Sequence, residues 1–183
     1  MPASASPLVM SDRSALSRSG LLYRTRPVRR SDEAALRDMF LRCSADDLRL
    51  RCFGISKTFP GVFAAHLARL SGPDEFAIVA VLESGEIGGV VHAVGVGSAE
   101  ADYDIMVRTD LKGQGIGTRL MREMLTEAGR SGFQAVHGDV MLGNRAMLLL
   151  AGDLGFRRVA TDGGVVRIRA TPQRPGPAAA AAA

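Results

Sequence analysis

The chain has 183 residues, 46% of them hydrophobic and 23% charged, with a formal net charge of +4, a composition that suits one globular domain with a single core. No apolar run approaches the ~20 residues of a membrane helix and no secretory segment opens the chain, so a cytoplasmic protein without membrane partners is expected. Six arginines fall in the first thirty residues against Asp12 alone, while the other 17 basic and 18 acidic residues nearly cancel; with no basic face on the body, a nucleic-acid partner is not expected either.

Residues 1–20 are polar and Ser-rich and are expected to be disordered, as is the Pro- and Ala-rich tail 171–183, which leaves a folded body over 21–170. Leu21–Val28 reads as a strand. Ser31-Asp32 offers a helix cap before Leu36, Met39, Phe40 and Cys43 at helical spacing. Ser44 caps a second short helix carrying Leu48, Arg51 and Cys52, and a third runs near Pro60–Leu70. Glu75–Leu82 and Glu86–Val96, rich in Val and Ile, read as a hairpin, and Ala101–Arg108 as the next strand. Gly115–Arg130 is the clearest helix, with Ile116, Leu120, Met121, Met124, Leu125 and Ala128 on one stripe. Gln134–Val140 returns to strand. Asn144–Leu154 is a helix closed by Gly155, and Phe156–Ala160 and Val165–Ile168 close the fold around Asp162-Gly-Gly. An antiparallel meander feeding a strand–helix–strand unit predicts an α/β (α+β mixed) class with a central mixed, mostly antiparallel sheet of six to seven strands flanked by helices.

Cys43 and Cys52 have no histidine at a metal-ligand spacing, so no metal site is expected and both thiols read as buried and reduced. His66, His92 and His137 have no nucleophile in partnership and read as core or surface residues.

The chemistry concentrates in Lys112-Gly-Gln-Gly-Ile-Gly117, between a strand and the clearest helix. Alternating glycines let the backbone take positive φ and let a ligand approach closely. The helix start supplies unpaired N–H groups and a dipole that favours an anion. A Walker loop needs Gly-Lys-Ser/Thr where Gly117-Thr118-Arg119 stand, and a dinucleotide fingerprint needs glycine at Thr118; both patterns fail.

The loop fits Arg/Gln-x-x-Gly-x-Gly/Ala, with Lys112, Gly115 and Gly117 in the first, fourth and sixth places. Together with Asn144-Arg-Ala-Met followed by Gly155-Phe156 and the element order, it resembles the GCN5-related N-acetyltransferase (GNAT) superfamily over about residues 22–170. Thr25-Arg-Pro-Val-Arg, Ser44 to Phe53, Phe76-Ala-Ile-Val-Ala and Val107 to Gly113 resemble the acetyltransferase domain of bacterial protein-lysine acetyltransferases of the Pat type. The resemblance implies the GNAT fold and transfer of acetyl from acetyl-CoA, as co-substrate, to an amine acceptor by direct attack. The acceptor is a protein lysine or a small molecule; a small-molecule acetyltransferase and a non-catalytic acyl-CoA-binding module are the alternatives. It implies pantetheine along Ile105, Met106 and Val107, pyrophosphate on Gly113, Gln114, Gly115, Ile116, Gly117 and Thr118 beside Lys112, and Asn144 near the pantetheine. Asp102 stands where Pat-type domains carry a glutamate base; Glu100 and Asp104 share its strand face. Ala151 replaces the tyrosine acid of many relatives. Arg51 is a candidate anchor. The protein is expected to be a monomer or homodimer.

Overall fold

The computed structural model describes residues 12–52, 59–72, 74–97 and 99–172. Expectations for residues 1–11, for the tail from 173 onward and for the side chains of Arg51 and Cys52 lie outside the described residues. The elements in chain order are β1 (Arg13–Leu16), β2 (Leu22–Pro27), a 3-10 turn at residues 30–32, α1 (Glu33–Leu41), α2 (Ala45–Cys52), α3 (Phe59–Ala68), β3 (Glu75–Leu82), β4 (Ile87–Val96), β5 (Glu100–Val107), a 3-10 turn at 109–111, α4 (Ile116–Arg130), β6 (Ala135–Met141), α5 (Arg145–Asp153), β7 (Arg157–Asp162) and β8 (Val165–Ala170). They build one eight-stranded sheet in the order β1-β2-β3-β4-β5-β6-β8-β7. Every pairing is antiparallel except that of β5 with β6.

The sheet is mixed and mostly antiparallel, as expected, but has eight strands rather than six or seven. The additional one is β1, in the segment whose composition predicts disorder. Ala15 pairs with Tyr23, and a turn follows in which Ser17 N–H donates to Leu21 O and the Ser17 hydroxyl accepts from Leu21 N–H. Polar composition hides this strand because it sits at the sheet edge and has no need of an apolar face.

Strand periodicity explains the layers. Phe76, Ile78, Ala80 and Leu82 of β3 face one side of the sheet and pack with Ile116, Leu120, Met121 and Met124 of α4. Ala77, Val79 and Val81 face the other and pack with Leu36, Met39 and Phe40 of α1 and Leu67 of α3. With helices on both faces, β3 is buried along its length after Glu75, which is why it reads as a continuous apolar run.

The start of α1 differs from the expected cap. Asp32 makes no side-chain cap hydrogen bond to the helix. Its carboxylate instead accepts two hydrogen bonds from the Arg26 guanidinium, at 2.7 and 2.9 Å, and one from Arg29 N–H at 2.8 Å. Both side chains are buried, so the carboxylate serves the pair that ties β2 to the helical layer. Burial alone would raise the Asp32 carboxyl, but the Arg26 hydrogen bonds and the Arg29 amide outweigh it and hold it below its ordinary value. The stabilisation is therefore complete above the unfolded-state value of ~4 and is lost as pH falls through the folded-state value. Asp32→Asn leaves Arg26 buried beside a neutral partner and should cost about 3–5 kcal/mol in urea unfolding at neutral pH, and the gap between wild type and variant should close as pH drops below ~4.

Candidate active site

The ladder between β5 and β6 runs only through Glu100↔Ala135, Ala101↔Val136 and Asp102↔His137, although β5 continues to Val107 and β6 to Met141. The next parallel pair would be Tyr103 with Gly138. A Cβ on Gly138 would lie 2.4 Å from Cε1 of Tyr103 and 2.7 Å from Cζ. The tyrosine ring thus fills the space that a side chain on β6 would take, and packs on Phe156 with centroids 5.4 Å apart. Beyond this wedge the strands part. The opening is a groove of about 570 Å3 walled by β5 from Tyr103 to Val107, by the end of β6, by the 112–118 loop, by α5 and by α2. The Tyr103 hydroxyl lies buried at this wall without a protein partner, and burial pushes it above its ordinary pKa.

At the far end of β5 the glycine loop behaves as its sequence predicts. Gly113 and Gly115 take φ of 72° and 88°, and Gly115 stands at the N-cap of α4 with no side-chain cap hydrogen bond. The first N–H groups of that helix are left for a ligand in the groove. Of the residues expected to hold a cofactor, Ile105, Met106, Val107, Lys112, Gly113, Gly115, Gly117, Thr118 and Asn144 line the groove. Gln114 and Ile116 do not. Ile116 is buried in the core against the sheet, so it offers the groove no side chain, and Gln114 turns to the N-terminal segment, accepting from Ser19 N–H at 3.0 Å. Asn144 caps α5, its carbonyl accepting from Met147 N–H at 3.2 Å, and also faces the groove.

Two cationic groups stand by the loop. Lys112 pairs with Asp47 of α2, and Thr109 donates to the same carboxylate at 2.6 Å. Burial alone would raise Asp47; the bonds from Lys112 and Thr109 reverse this and hold it low. The second group was not legible from the sequence. Arg18 reaches from the β1–β2 turn to Gly113 O at 3.3 Å, its own N–H donates to Gln114 O at 3.1 Å, and it lines the groove. The arginine-rich start of the chain was the only available hint.

Asp102 and Asp104 share the sheet face opposite α4, as strand parity requires, but they are separately engaged. Asp102 accepts from Arg167 of β8 at 2.5 Å, and Arg167 also donates to Asp139 at 2.9 Å. Asp104 lies 3.3 Å from His92 Nδ1, and Glu100 lies 3.3 Å from His137 Nε2. The three carboxylates therefore do not stand as a mutually repelling trio; each has a basic neighbour. Asp104 and Asp139 line the groove and Asp102 does not. Chain spacing gives no metal signal, yet the sheet register brings His66, Glu75 and His92 together on this same face. Burial works against charge on His92, but the carboxylates of Asp104 and Glu75 outweigh it and raise its pKa.

Residues 43–156 match the Acetyltransferase (GNAT) family. The chain belongs to that family. Its members are acetyltransferases, and the domain is an N-acetyltransferase that works by acetyl-CoA-dependent acetylation. Similar solved structures carry the same fold. The GNAT domain of S. lividans Pat is 20% identical, with a TM-score of 0.78 over 87% of this chain and 96% of that one. A cAMP-binding acyltransferase from Mycobacterium smegmatis is 22% identical, with a TM-score of 0.61 over 89% of this chain; the match spans 48% of that longer protein. A spermidine N-acetyltransferase from Vibrio cholerae, solved with CoA and spermine, is 14% identical, with a TM-score of 0.66 over 83% of this chain and 96% of that one. Among the described residues no helix is long and apolar enough to cross a membrane.

Gly138→Ala tests the wedge. The added methyl must displace the Tyr103 ring, and the expected cost is about 1–3 kcal/mol, seen as a lower melting temperature with the far-ultraviolet circular dichroism retained.

Proposed function

We propose that the groove holds acetyl-CoA with its pantetheine arm along Ile105–Val107 and its pyrophosphate on the amides from Gly113 to Thr118, and that the acceptor amine enters from the carboxylate-bearing face. The observation that carries this is the parting of β5 from β6. Past Asp102 the β5 edge has lost its strand partner and leads directly to an uncapped helix N-terminus. An extended amide-containing arm completes the sheet edge as an added strand would, and its diphosphate meets the helix dipole and the Arg18 and Lys112 cations. A backbone N–H near Met106 supplies a donor to the thioester oxygen as charge develops there.

In the proposed reaction the neutral amine attacks the thioester carbonyl, the C–N bond forms, the C–S bond breaks and the thiolate leaves. An acceptor lysine, with a reference pKa of ~10.4, must first lose a proton. Asp102 occupies the place where Pat-type relatives carry their base, but Arg167 holds its carboxylate and it stands outside the groove. We assign proton acceptance to Asp104, two residues further along the same face, directly or through water. Asp102 then positions Arg167 and Asp139. The groove also carries Asp47, Asp139 and Asp153, a lining that favours a cationic acceptor. The likeness to the Pat domain supports a protein lysine, and the acidic lining admits a small polyamine as the second reading.

Calorimetry with acetyl-CoA should show one site, weakened in Arg18→Ala. A thiol-release assay with lysine-bearing proteins and small polyamines then separates the two acceptor classes. Asp104→Asn should lower kcat by about 10²-fold or more, with Asp102→Asn costing less. The opposite order would return the role of base to Asp102, and absence of acetyl-CoA binding would remove the assignment of the groove.

A further inference from the structure

We propose that His66, Glu75 and His92 form a binding site for a divalent ion of the zinc class, set between α3 and the sheet and separate from the acetyl-CoA cradle. The inference does not depend on where acetyl-CoA binds or on which carboxylate acts as base.

Three elements supply the donors. His66 stands in the last turn of α3, Glu75 opens β3, and His92 lies mid-strand in β4. The register pairs Ala77 with His92, so Glu75, two residues before Ala77, projects from the same face and reaches the His92 ring. His66 Nε2 and His92 Nε2 each lie 2.8 Å from the same Glu75 Oε1, and the three donor atoms fall within 4.8 Å of one another. Zinc bonds of ~2.0–2.2 Å in tetrahedral geometry separate neighbouring ligand atoms by about 3.3 Å. The two 2.8 Å contacts of Glu75 Oε1 with the imidazole nitrogens need to open by about half an ångström to seat the ion, a shift that side-chain rotation supplies.

The surroundings match what a metal-bound histidine needs. With Nε2 on the ion, His92 keeps its proton on Nδ1, and that atom faces the Asp104 carboxylate at 3.3 Å. A carboxylate behind a ligating imidazole fixes the tautomer and ring orientation and strengthens the ligand. The Phe63 ring covers one side, with centroids 6.1 Å from His66 and 5.8 Å from His92. The other side is open: the His92 side chain is 7% exposed while that of His66 is 48% exposed. Three protein ligands and a solvent-facing position make a four-coordinate site that keeps one place for water. Two imidazole nitrogens and one carboxylate suit zinc and its neighbours, and not calcium or magnesium, which take oxygen ligands. An ion here clamps α3 to β3 and β4 and, through His92, fixes the orientation of Asp104 at the groove wall.

The experiment strips the purified full-length protein with a chelator, then follows Zn2+ uptake by equilibrium dialysis and Co2+ uptake by visible absorption. Wild type, His66→Ala and Glu75→Gln are compared. His66 is half-exposed, so its alanine variant should keep the fold, checked by circular dichroism. The expected result is one ion per chain in the wild type, Co2+ bands of nitrogen and oxygen ligation, and an affinity at least about tenfold weaker in His66→Ala, with a zinc-induced rise in melting temperature that this variant loses. No uptake by the wild type, a loss in His66→Ala smaller than tenfold, or a thiolate-to-metal absorption band would each overturn the site. Acetyl-CoA calorimetry on the same stripped protein reads the groove independently.

Discussion

Tyr103 and Gly138 meet where the parallel pairing of β5 with β6 ends, and the geometry of the site follows from that meeting. A parallel ladder prolonged to Val107 and Met141 would have closed β5 and β6 against one another and left no groove. The ring in the space of a missing Cβ stops the ladder after Asp102↔His137. The opening then receives, in one direction, the glycine loop and the N-terminus of α4, and in the other the face that carries the carboxylates. An exposed β edge is ordinarily a liability in a folded protein; here it is short, walled by α5, and ends at a helix dipole, a shape that an extended ligand could complete.

The charged groups around this opening follow one physical rule. Few of them are both buried and alone, because an uncompensated buried charge is costly. Arg26 and Asp32 satisfy one another beneath α1, and Arg108 is held by Asp110 at 2.7 and 2.8 Å and by Glu86 at 3.2 Å. Asp102, Asp104 and Asp47 each lean on a basic group from elsewhere in the chain. The consequence for catalysis is that a carboxylate tied to a guanidinium is a poorer base than one tied to an imidazole, since the guanidinium never gives up its proton. Family position alone does not capture this difference between Asp102 and Asp104.

Much of the fold was legible because the signals were local and periodic. The stripe Ile116 to Ala128 and the apolar run Phe76 to Leu82 mark a helix on a sheet, and glycines 113 and 115 mark the loop. Gly155 closes α5 as a Cα without a side chain should, with φ of 85°. What could not be read depends on contacts between distant residues. Nothing near Arg13–Leu16 announces a strand; its partner is β2, and its turn is held by the glycine loop, 95 positions away for Arg18 and Gly113. Asp32 has the composition of a cap, and only the buried Arg26 beside it redirects its carboxylate. His66, Glu75 and His92 have no motif spacing, because the β3–β4 register and the packing of α3 bring them together. The same register sets Asp104 beside His92 at the groove wall and leaves Asp102 outside the groove, although parity alone treats the two as equivalent.

The hold of the β1–β2 turn on the glycine loop has an evolutionary consequence. Of the three bonds, one joins backbone to backbone, and the other two each use one side chain, the Arg18 guanidinium on Gly113 O and the Gln114 carbonyl under Ser19 N–H. Such a brace survives substitution almost anywhere along β1 provided the chain keeps its length and its edge pairing. Insertions or deletions between Leu16 and Leu21 would instead move the brace off the loop. In this part of the protein, selection must preserve spacing together with the side chain of Arg18.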